Sequence, residues 1–298
     1  MELTSEQLKD YHKLIEENFP EVTVIDKPVV GGQKVVFPCM DNGQMIALKF
    51  VKIAYNDEYE IMNSSAENRI IRELSIMGQV HSEFFVRPIE KPIKRILVKG
   101  AYFIIYEEEW VDGISVDKMF KMQNYCTKDV VQLGIDMAEA IKVLWSKKII
   151  HRDIKPANII RQKNGHYVLL DLGIAYDLNA ESLTQIGGRP GTYYYMSPEQ
   201  VSLNDKRKLD FRSDLYSLGL VMYESFTHCN PIYTAACRGE CNNAADFIPC
   251  NLVDIVPKIN TKLADIIMRM LKKHPNMRFR NIDYVIIGLK AVEKEMEA

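Results

Sequence analysis

The sequence lacks long hydrophobic runs, a strong excess of one charge and any leader-like segment. No apolar stretch approaches the roughly 18–20 residues needed to cross a bilayer, so no transmembrane helix is expected. The net charge is only −2, which argues against a broad nucleic-acid interface. Residues 1–6 are acidic and polar, unlike a secretory signal. We therefore expect a soluble, cytoplasmic protein with no nucleic-acid partner.

Cysteine is scarce and irregularly spaced, with six among 298 residues. Cys39 and Cys126 stand alone and are expected to be buried thiols. The other four fall between residues 229 and 250. This group contains no C-x-x-C pair, and its spacings match no common zinc module. Free thiols are the favoured interpretation, with a metal site as the weaker alternative.

Apolar residues make up 47% of the chain, which excludes extensive disorder and allows one large or two modest domains. Apolar spacing predicts a helix over residues 5–18, and strands between residues 22 and 52 and at 102–106. Asp41-Asn42-Gly43 is a hairpin signal between two of these strands. Further helices are predicted at about 64–78, from the candidate N-cap Thr127 to about 147, at 263–271 and at 284–297. No internal repeat, coiled coil or low-complexity segment is present.

One stretch carries the chemistry: His151-Arg152-Asp153-Ile154-Lys155-Pro156-Ala157-Asn158, followed by Asp171-Leu172-Gly173. These loops supply two carboxylates, an amide and an ammonium, the set that phosphoryl transfer requires. Asp153 would orient a substrate hydroxyl and accept its proton, and Lys155 would screen the transferred phosphoryl group. Asn158 and Asp171 offer the hard oxygen ligands that Mg²⁺ prefers.

An isolated Asp is usually a solvated surface carboxylate, and an isolated Asn usually belongs to a turn. The pattern His-Arg-Asp-x-Lys-x-x-Asn specifies five residues, each at about 5% usage. By chance it should occur on the order of once in ten thousand sequences of this length. The pattern therefore favours the functional interpretation.

With these motifs the chain resembles the protein kinase family, over about residues 22–290. The resemblance implies an α+β, bilobal, protein-kinase-like fold. It places a small β-rich N-lobe with one main helix at residues 21–108. A larger, mainly helical C-lobe would follow at 109–298, and residues 1–20 would form a helical extension.

The resemblance also implies a nucleotide site in the N-lobe. Kinases carry a glycine-rich loop near Val36, where the backbone approaches the phosphates. Of its three glycines only Gly31 keeps its place, because Val29 and Lys34 occupy the other two positions. Ala47 and Lys49 match the strand whose lysine holds the α- and β-phosphates.

The acidic partner of Lys49 is expected on the helix at 64–78, where two glutamates compete. Glu67 stands three residues after Ser64, which suits a capping box. Glu73 lies one helical face further on, so we assign the ion pair to Lys49 and Glu73. His81 is assigned to a structural turn.

Residues 107–113 resemble the hinge at which kinases bind adenine through the backbone, with Glu109 and Val111 as the best-matched positions. The simpler interpretation of the run Glu107-Glu108-Glu109 is a solvated loop, which is compatible with a hinge.

The second half of the chain resembles the serine/threonine branch of the family. Leu172 replaces the usual Phe of the metal-binding triplet, and residues 191–199 match the Gly-Thr-x-x-Tyr-x-x-Pro-Glu end of an activation segment. Thr192 and Lys155 distinguish this branch from tyrosine kinases, and family members bond this Thr to the catalytic Asp and Lys.

Three structural and regulatory roles follow from the same resemblance. Asp214 would anchor the catalytic loop, and Arg278 would pair with Glu199. Arg152 is typical of members controlled by phosphorylation, with Ser182 and Thr184 as the acceptors.

The expected function is an ATP- and Mg²⁺-dependent serine/threonine protein kinase, with Mn²⁺ as an alternative metal. It would act on protein substrates and on itself. A pseudokinase that binds nucleotide or partners without efficient catalysis is the main alternative, favoured slightly by the altered glycine loop. A small-molecule kinase is a third, and the complete Gly-Thr…Pro-Glu segment argues against it.

Overall fold

The computed structural model describes residues 3–31, 34–53, 65–80, 82–98, 101–123, 125–172, 176–177, 192–201 and 209–297. The chain forms two units: residues 1–79 with 86–111, and residues 80–85 with 112–298. The first is β-rich with one main helix against its sheet and an additional N-terminal helix, and the second is larger and mainly helical. The predicted α+β class is confirmed.

The first unit is built on a six-stranded antiparallel sheet in the order β1-β3-β4-β6-β5, with β2 paired to β3. Its strands are β1 (Val22–Val24), β2 (Val29–Val30), β3 (Lys34–Asp41), β4 (Gln44–Ile53), β5 (Lys94–Val98) and β6 (Ala101–Glu109). Asn42 and Gly43 join β3 to β4 with φ values of 47° and 83°. Positive φ at both positions is the type I′ geometry, which confirms the predicted hairpin.

Helix α1 (Ser5–Asn18) has the predicted bounds, and its N-cap Thr4 forms a capping box with Gln7. The helix covers one face of the sheet, where Leu14 and Ile15 join the core formed with Phe37 and Phe50. The ring of Tyr11 lies 5.6 Å from that of Phe37, 5.1 Å from that of Phe50 and 5.9 Å from that of Phe103. The extension is therefore part of the first unit's core.

Helix α2 (Ser65–Gln79) covers the opposite face of the sheet. Ile70 and Leu74 pack there against Val51, Ile104 and Tyr106. Because side chains alternate along each strand, this face also receives Lys34, Lys49 and Glu108, as the strand register shows.

Replacing Tyr11 with alanine should destabilise the first unit by about 2 kcal/mol, because three ring contacts are lost at a half-buried position. Tyr11→Phe keeps the ring and should change stability little. Urea unfolding can be followed through Trp110 in a Trp145→Phe background, since only these two tryptophans exist and only Trp110 belongs to this unit. Equal midpoints for the Ala and Phe variants would show that α1 contributes nothing through this ring.

The second unit centres on helix α4, which packs against α6 and α10, while α6 also packs against α9. Its helices are α3 (Val116–Met122), α4 (Thr127–Ser146), α5 (Pro198–Val201), α6 (Phe211–Thr227), α7 (Pro231–Cys237), α8 (Leu252–Ile255), α9 (Thr261–Met270) and α10 (Asp283–Glu297). Its short strands are β7 (Gly113–Ser115), β8 (Ile149–Ile150), β9 (Ile159–Gln162), β10 (Tyr167–Leu169) and β11 (Tyr176–Asp177). The four predicted helices of residues 64–297 are all present, with ends shifted by at most two residues.

Two local predictions for this unit were wrong. Cys126, not Thr127, is the N-cap of α4, and its backbone N–H donates to Asp129 Oδ2 at 2.9 Å. A cap lies outside the helix's packed face, so Cys126 is exposed rather than buried. Cys39 is buried in β3 as predicted, and all six cysteines are free.

Within the described ranges, no three His, Cys, Asp or Glu side chains cluster so as to hold a metal ion. In the same ranges, no helix combines the length and the apolar character that crossing a bilayer demands.

Candidate active site

The buried carboxylate of Asp214 on α6 anchors the start of the loop from His151 to Asn158. Asp214 accepts the backbone N–H of His151 at 2.8 Å and that of Arg152 at 2.9 Å. Burial raises the pKa of Asp214 to about 7, although these two donors act in the opposite direction. The predicted anchoring role is confirmed. Arg152 has φ 70°, a strained value for a non-glycine residue that is often found at functional sites.

The ring of His151 joins the two motif-bearing loops. Its Nε2 donates to the carbonyl of Leu170 at 3.2 Å, and its Nδ1 accepts the backbone N–H of Asp153 at 3.2 Å. Burial lowers the pKa of His151, so the ring is neutral at pH 7, as one donor and one acceptor require. His151 therefore fixes the geometry of the loop through these two hydrogen bonds.

The carboxylate of Asp153 is buried and held on one side only. Its Oδ2 accepts from Lys155 Nζ at 2.9 Å and from Asn158 Nδ2 at 3.0 Å, while Asn158 Nδ2 also donates to the Asp153 carbonyl at 2.9 Å. In the described part of the chain, Oδ1 has no hydrogen-bond partner although it is buried. A buried acceptor without a donor is costly, so this atom suits a donor supplied by another molecule.

Asp171 directly follows Leu170, which is hydrogen-bonded through its backbone to the loop that contains Asn158. The N–H of Leu170 donates to the carbonyl of Asn158 at 2.8 Å. Asp171 is half-buried and has φ 63°, again a strained value, and Leu172 is buried as its apolar character predicts. The structure thus brings the predicted Asp153, Lys155 and Asn158 into contact. A backbone hydrogen bond joins the segment before Asp171 to the same loop.

The donor set fits a divalent cation. Both amide N–H contacts of Asn158 point to Asp153, which leaves the amide oxygen as its ligand atom. Asp171 adds a carboxylate, and such oxygens are the ligands of Mg²⁺ and similar hard ions.

In the first unit, Lys49 lies in the middle of β4, and its side chain is only 9% exposed. It forms an ion pair with Glu108, and Glu73 contacts Lys34 instead, at 3.3 Å. The predicted Lys49–Glu73 pair is therefore not the one present. The strand register explains the difference, because Lys49 lies opposite Tyr106 on β6 and Glu108 is the next residue of β6 on that face.

The acidic run is strand, so the alternative of a solvated loop was wrong. Glu107 and Glu108 are 4% and 1% exposed. Glu107 faces the α1 side, where Lys91 Nζ contacts it at 3.0 Å and Asp41 at 2.6 Å. Glu109 accepts the backbone N–H of Arg87 at 3.0 Å. Each carboxylate is thus paired inside the first unit, which is what buried charges require.

The other predicted nucleotide contacts also belong to this unit. Val36 lies opposite Lys49 and Val29 opposite Val36, so they share a face with Ala47. Gly31 donates its N–H to the Lys34 carbonyl at 2.8 Å. Glu109 ends β6, and Val111, half-buried, is the last residue of the unit. Their contact with a nucleotide stays a prediction.

Sequence reasoning missed Lys34 and Glu108 as members of the charged set around Lys49. The signal was present, because both are charged residues on the apolar face of a strand. Glu67 forms an ion pair with Arg95 Nη2 at 2.6 Å, so its carboxylate has a tertiary partner beyond the predicted cap. Ser64, His81, Gly173, Ser182, Thr184 and the side chain of Thr192 lie outside the described residues.

The end of the predicted activation segment is anchored as expected. Arg278 Nη1 contacts Glu199 Oε1 at 2.7 Å, and Nη2 contacts Oε2 at 2.9 Å. This confirms the predicted pair.

Comparison with known proteins agrees with this geometry. The model of the protein kinase domain matches residues 30–285. The chain belongs to the protein kinase family. Members of this family use ATP and a divalent metal ion and act on protein substrates.

Three curated relatives are named as serine/threonine-protein kinases. A probable serine/threonine-protein kinase of Clostridium perfringens is 26% identical, covering 89% of this chain and 37% of the relative. The serine/threonine-protein kinase PknD of Mycobacterium tuberculosis is 27% identical over 84% and 36%. Serine/threonine-protein kinase A of Synechocystis is 34% identical over 86% and 49%. The chain thus spans a third to a half of the length of these relatives.

Proposed function

We propose that this chain is an active protein kinase that transfers the γ-phosphate of ATP to a Ser or Thr hydroxyl of a protein substrate, and also to itself. The main support is the carboxylate of Asp153, with Oδ2 fixed by Lys155 and Asn158 and the buried Oδ1 unpaired among the described residues. A substrate hydroxyl that donates to Oδ1 would be oriented for in-line attack.

The chemistry then follows from the side chains. As the oxygen–phosphorus bond forms and the bond to the leaving diphosphate breaks, Asp153 accepts the hydroxyl proton. Lys155 is 2.9 Å from Asp153 Oδ2 and can neutralise charge on the transferred group. The amide oxygen of Asn158 and the carboxylate of Asp171 would hold Mg²⁺, with Mn²⁺ as the alternative. A bound cation would supply further neutralisation of phosphate charge.

The Ser/Thr preference is supported by Lys155 in the loop, by Thr192 and by the names of the relatives. We expect phosphoserine and phosphothreonine, without phosphotyrosine, after incubation with γ-labelled ATP, Mg²⁺ and a denatured protein mixture. Mass spectrometry of the kinase itself should find phosphate in the segment that contains Ser182 and Thr184. Label on tyrosine alone, or on small molecules alone, would contradict the proposal.

A pseudokinase remains the second candidate because of two observations. Lys49 is paired with Glu108 rather than with Glu73, and the glycine loop carries Val29 and Lys34 in place of two glycines. Nucleotide binding with no label transfer to any protein would favour this candidate over an active kinase.

A further inference from the structure

Two lysines and two glutamates share the α2 side of the sheet in the first unit. Lys49 of β4 lies opposite Val36 of β3 and opposite Tyr106 of β6. Lys34 stands two residues before Val36, and Glu108 stands two residues after Tyr106. Each is therefore a diagonal neighbour of Lys49 on the same face, within reach of a long side chain. Glu73 enters this face from α2.

The four charges form two pairs. Lys34 Nζ is 3.3 Å from both carboxylate oxygens of Glu73 and 3.4 Å from the hydroxyl of Tyr106. Lys49 contacts Glu108, and the two side chains are 9% and 1% exposed. Glu73 of α2 thus orients Lys34 of β3. Lys49 of β4 neutralises Glu108 of β6.

Burial makes the second pair hard to open. A buried carboxylate without a cation is strongly unfavourable, and among the described residues Lys49 is the cation that contacts Glu108. The other oxygen of Glu108, Oε1, is buried there without a hydrogen-bond donor. If Lys49 moved onto a phosphate, it would leave a bare buried charge behind.

Lys34 is placed differently. It is the first residue of β3, its carbonyl accepts the N–H of Gly31 at 2.8 Å, and it stands where the family's loop carries its third glycine. Its side chain is 12% exposed, and its counter-ion Glu73 is 2% exposed. An ammonium at the start of β3, held by a buried carboxylate, suits a phosphate ligand.

We propose that Lys34 is the ammonium that Glu73 holds for the nucleotide's phosphates, and that Lys49 is a positioning residue that neutralises Glu108. This assignment rests on the proposed nucleotide site and changes which lysine contacts the phosphates. The two pairs make separable predictions, because a counter-ion becomes dispensable when its partner is neutralised, whereas a ligand does not.

The test is a pair of mutant cycles on the intact protein, read by binding of the fluorescent analogue mant-ATP with Mg²⁺ and by thermal unfolding. Lys34→Met should weaken binding about tenfold to 100-fold, the loss expected for one charge-assisted contact. Lys34→Met combined with Glu73→Gln should bind as weakly as Lys34→Met alone. Lys34→Arg, which keeps the charge, should bind within a few-fold of the parent.

Lys49→Met should lower both the unfolding temperature and the affinity, because Glu108 is left unpaired. Adding Glu108→Gln should restore the unfolding temperature and recover most of the lost affinity. The inference is overturned if the double variant regains its unfolding temperature but binds mant-ATP as weakly as Lys49→Met. It is also overturned if Lys34→Met binds like the parent.

The same measurements separate this inference from the proposed activity. A parent that binds mant-ATP but transfers no phosphate would remove the proposed activity, and the binding cycles would still decide between Lys34 and Lys49. A parent that binds no nucleotide would overturn both, since neither lysine would then have a phosphate to contact.

Discussion

Replacing Asp153 with asparagine should reduce phosphate transfer by about 10²–10⁴-fold, the usual contribution of a general base. Asparagine has the same shape and keeps an acceptor oxygen for Lys155 and Asn158, so the loop should stay in place. It cannot take the hydroxyl proton. The turnover number should therefore fall while the KM for ATP changes little, because Asp153 acts on the acceptor and not on the nucleotide.

The assay is label transfer from γ-labelled ATP to protein at saturating Mg²⁺. Asp254→Asn is the matched control, since it makes the same chemical change at an exposed position of α8. The control should have the parental rate. A parental rate in the Asp153→Asn variant would exclude the proposed role, and label transfer would then have to arise without this carboxylate.

Replacing Arg278 with methionine should destabilise the second unit by about 3–5 kcal/mol, the usual cost of removing one partner of a buried ion pair. Arg278 is 1% exposed, and all five of its N–H groups have acceptors. Two go to Glu199, and the others go to the backbone carbonyls of Arg212, Lys272 and Lys273 at 2.7, 2.7 and 3.0 Å. Among the described residues, the change would leave the buried carboxylate of Glu199 with Ser213 Oγ as its remaining side-chain donor, at 2.7 Å.

Urea unfolding reports this loss through Trp145, the tryptophan of the second unit, in a Trp110→Phe background. Arg278→Lys should lower the free energy of unfolding almost as much, because the three donors of an ammonium cannot replace the five donors of a planar guanidinium. Adding Glu199→Leu to Arg278→Met should recover part of the loss, since no bare charge remains. A cost below about 1 kcal/mol for Arg278→Met would mean that the pair contributes little.

Several parts of the fold followed directly from local patterns. The apolar spacing of residues 5–18 places α1, and Asn42-Gly43 places the β3–β4 hairpin, because both depend on neighbours within a few residues. The loop His151–Asn158, its anchor Asp214 and the pair Arg278–Glu199 followed from the family resemblance, whose motifs carry contacts between distant parts of the chain.

Other predictions depended on which side chains meet and could not be made locally. Glu73 was assigned to Lys49 from helical spacing alone, which gives a face but no partner. The acidic run of β6 looked solvated because three adjacent glutamates are usually exposed. Its burial depends on the cations Lys91 and Lys49, both distant in sequence.

The sequence by itself determined the family, the α+β class, the approximate bounds of five helices and the carboxylate, amide and ammonium of the loop His151–Asn158, because these depend on residue type and short spacing. Only the tertiary structure decided the counter-ions of Lys34, Lys49 and Glu108. Strand register sets which charges share a face, and in a buried site the nearest opposite charge is strongly preferred.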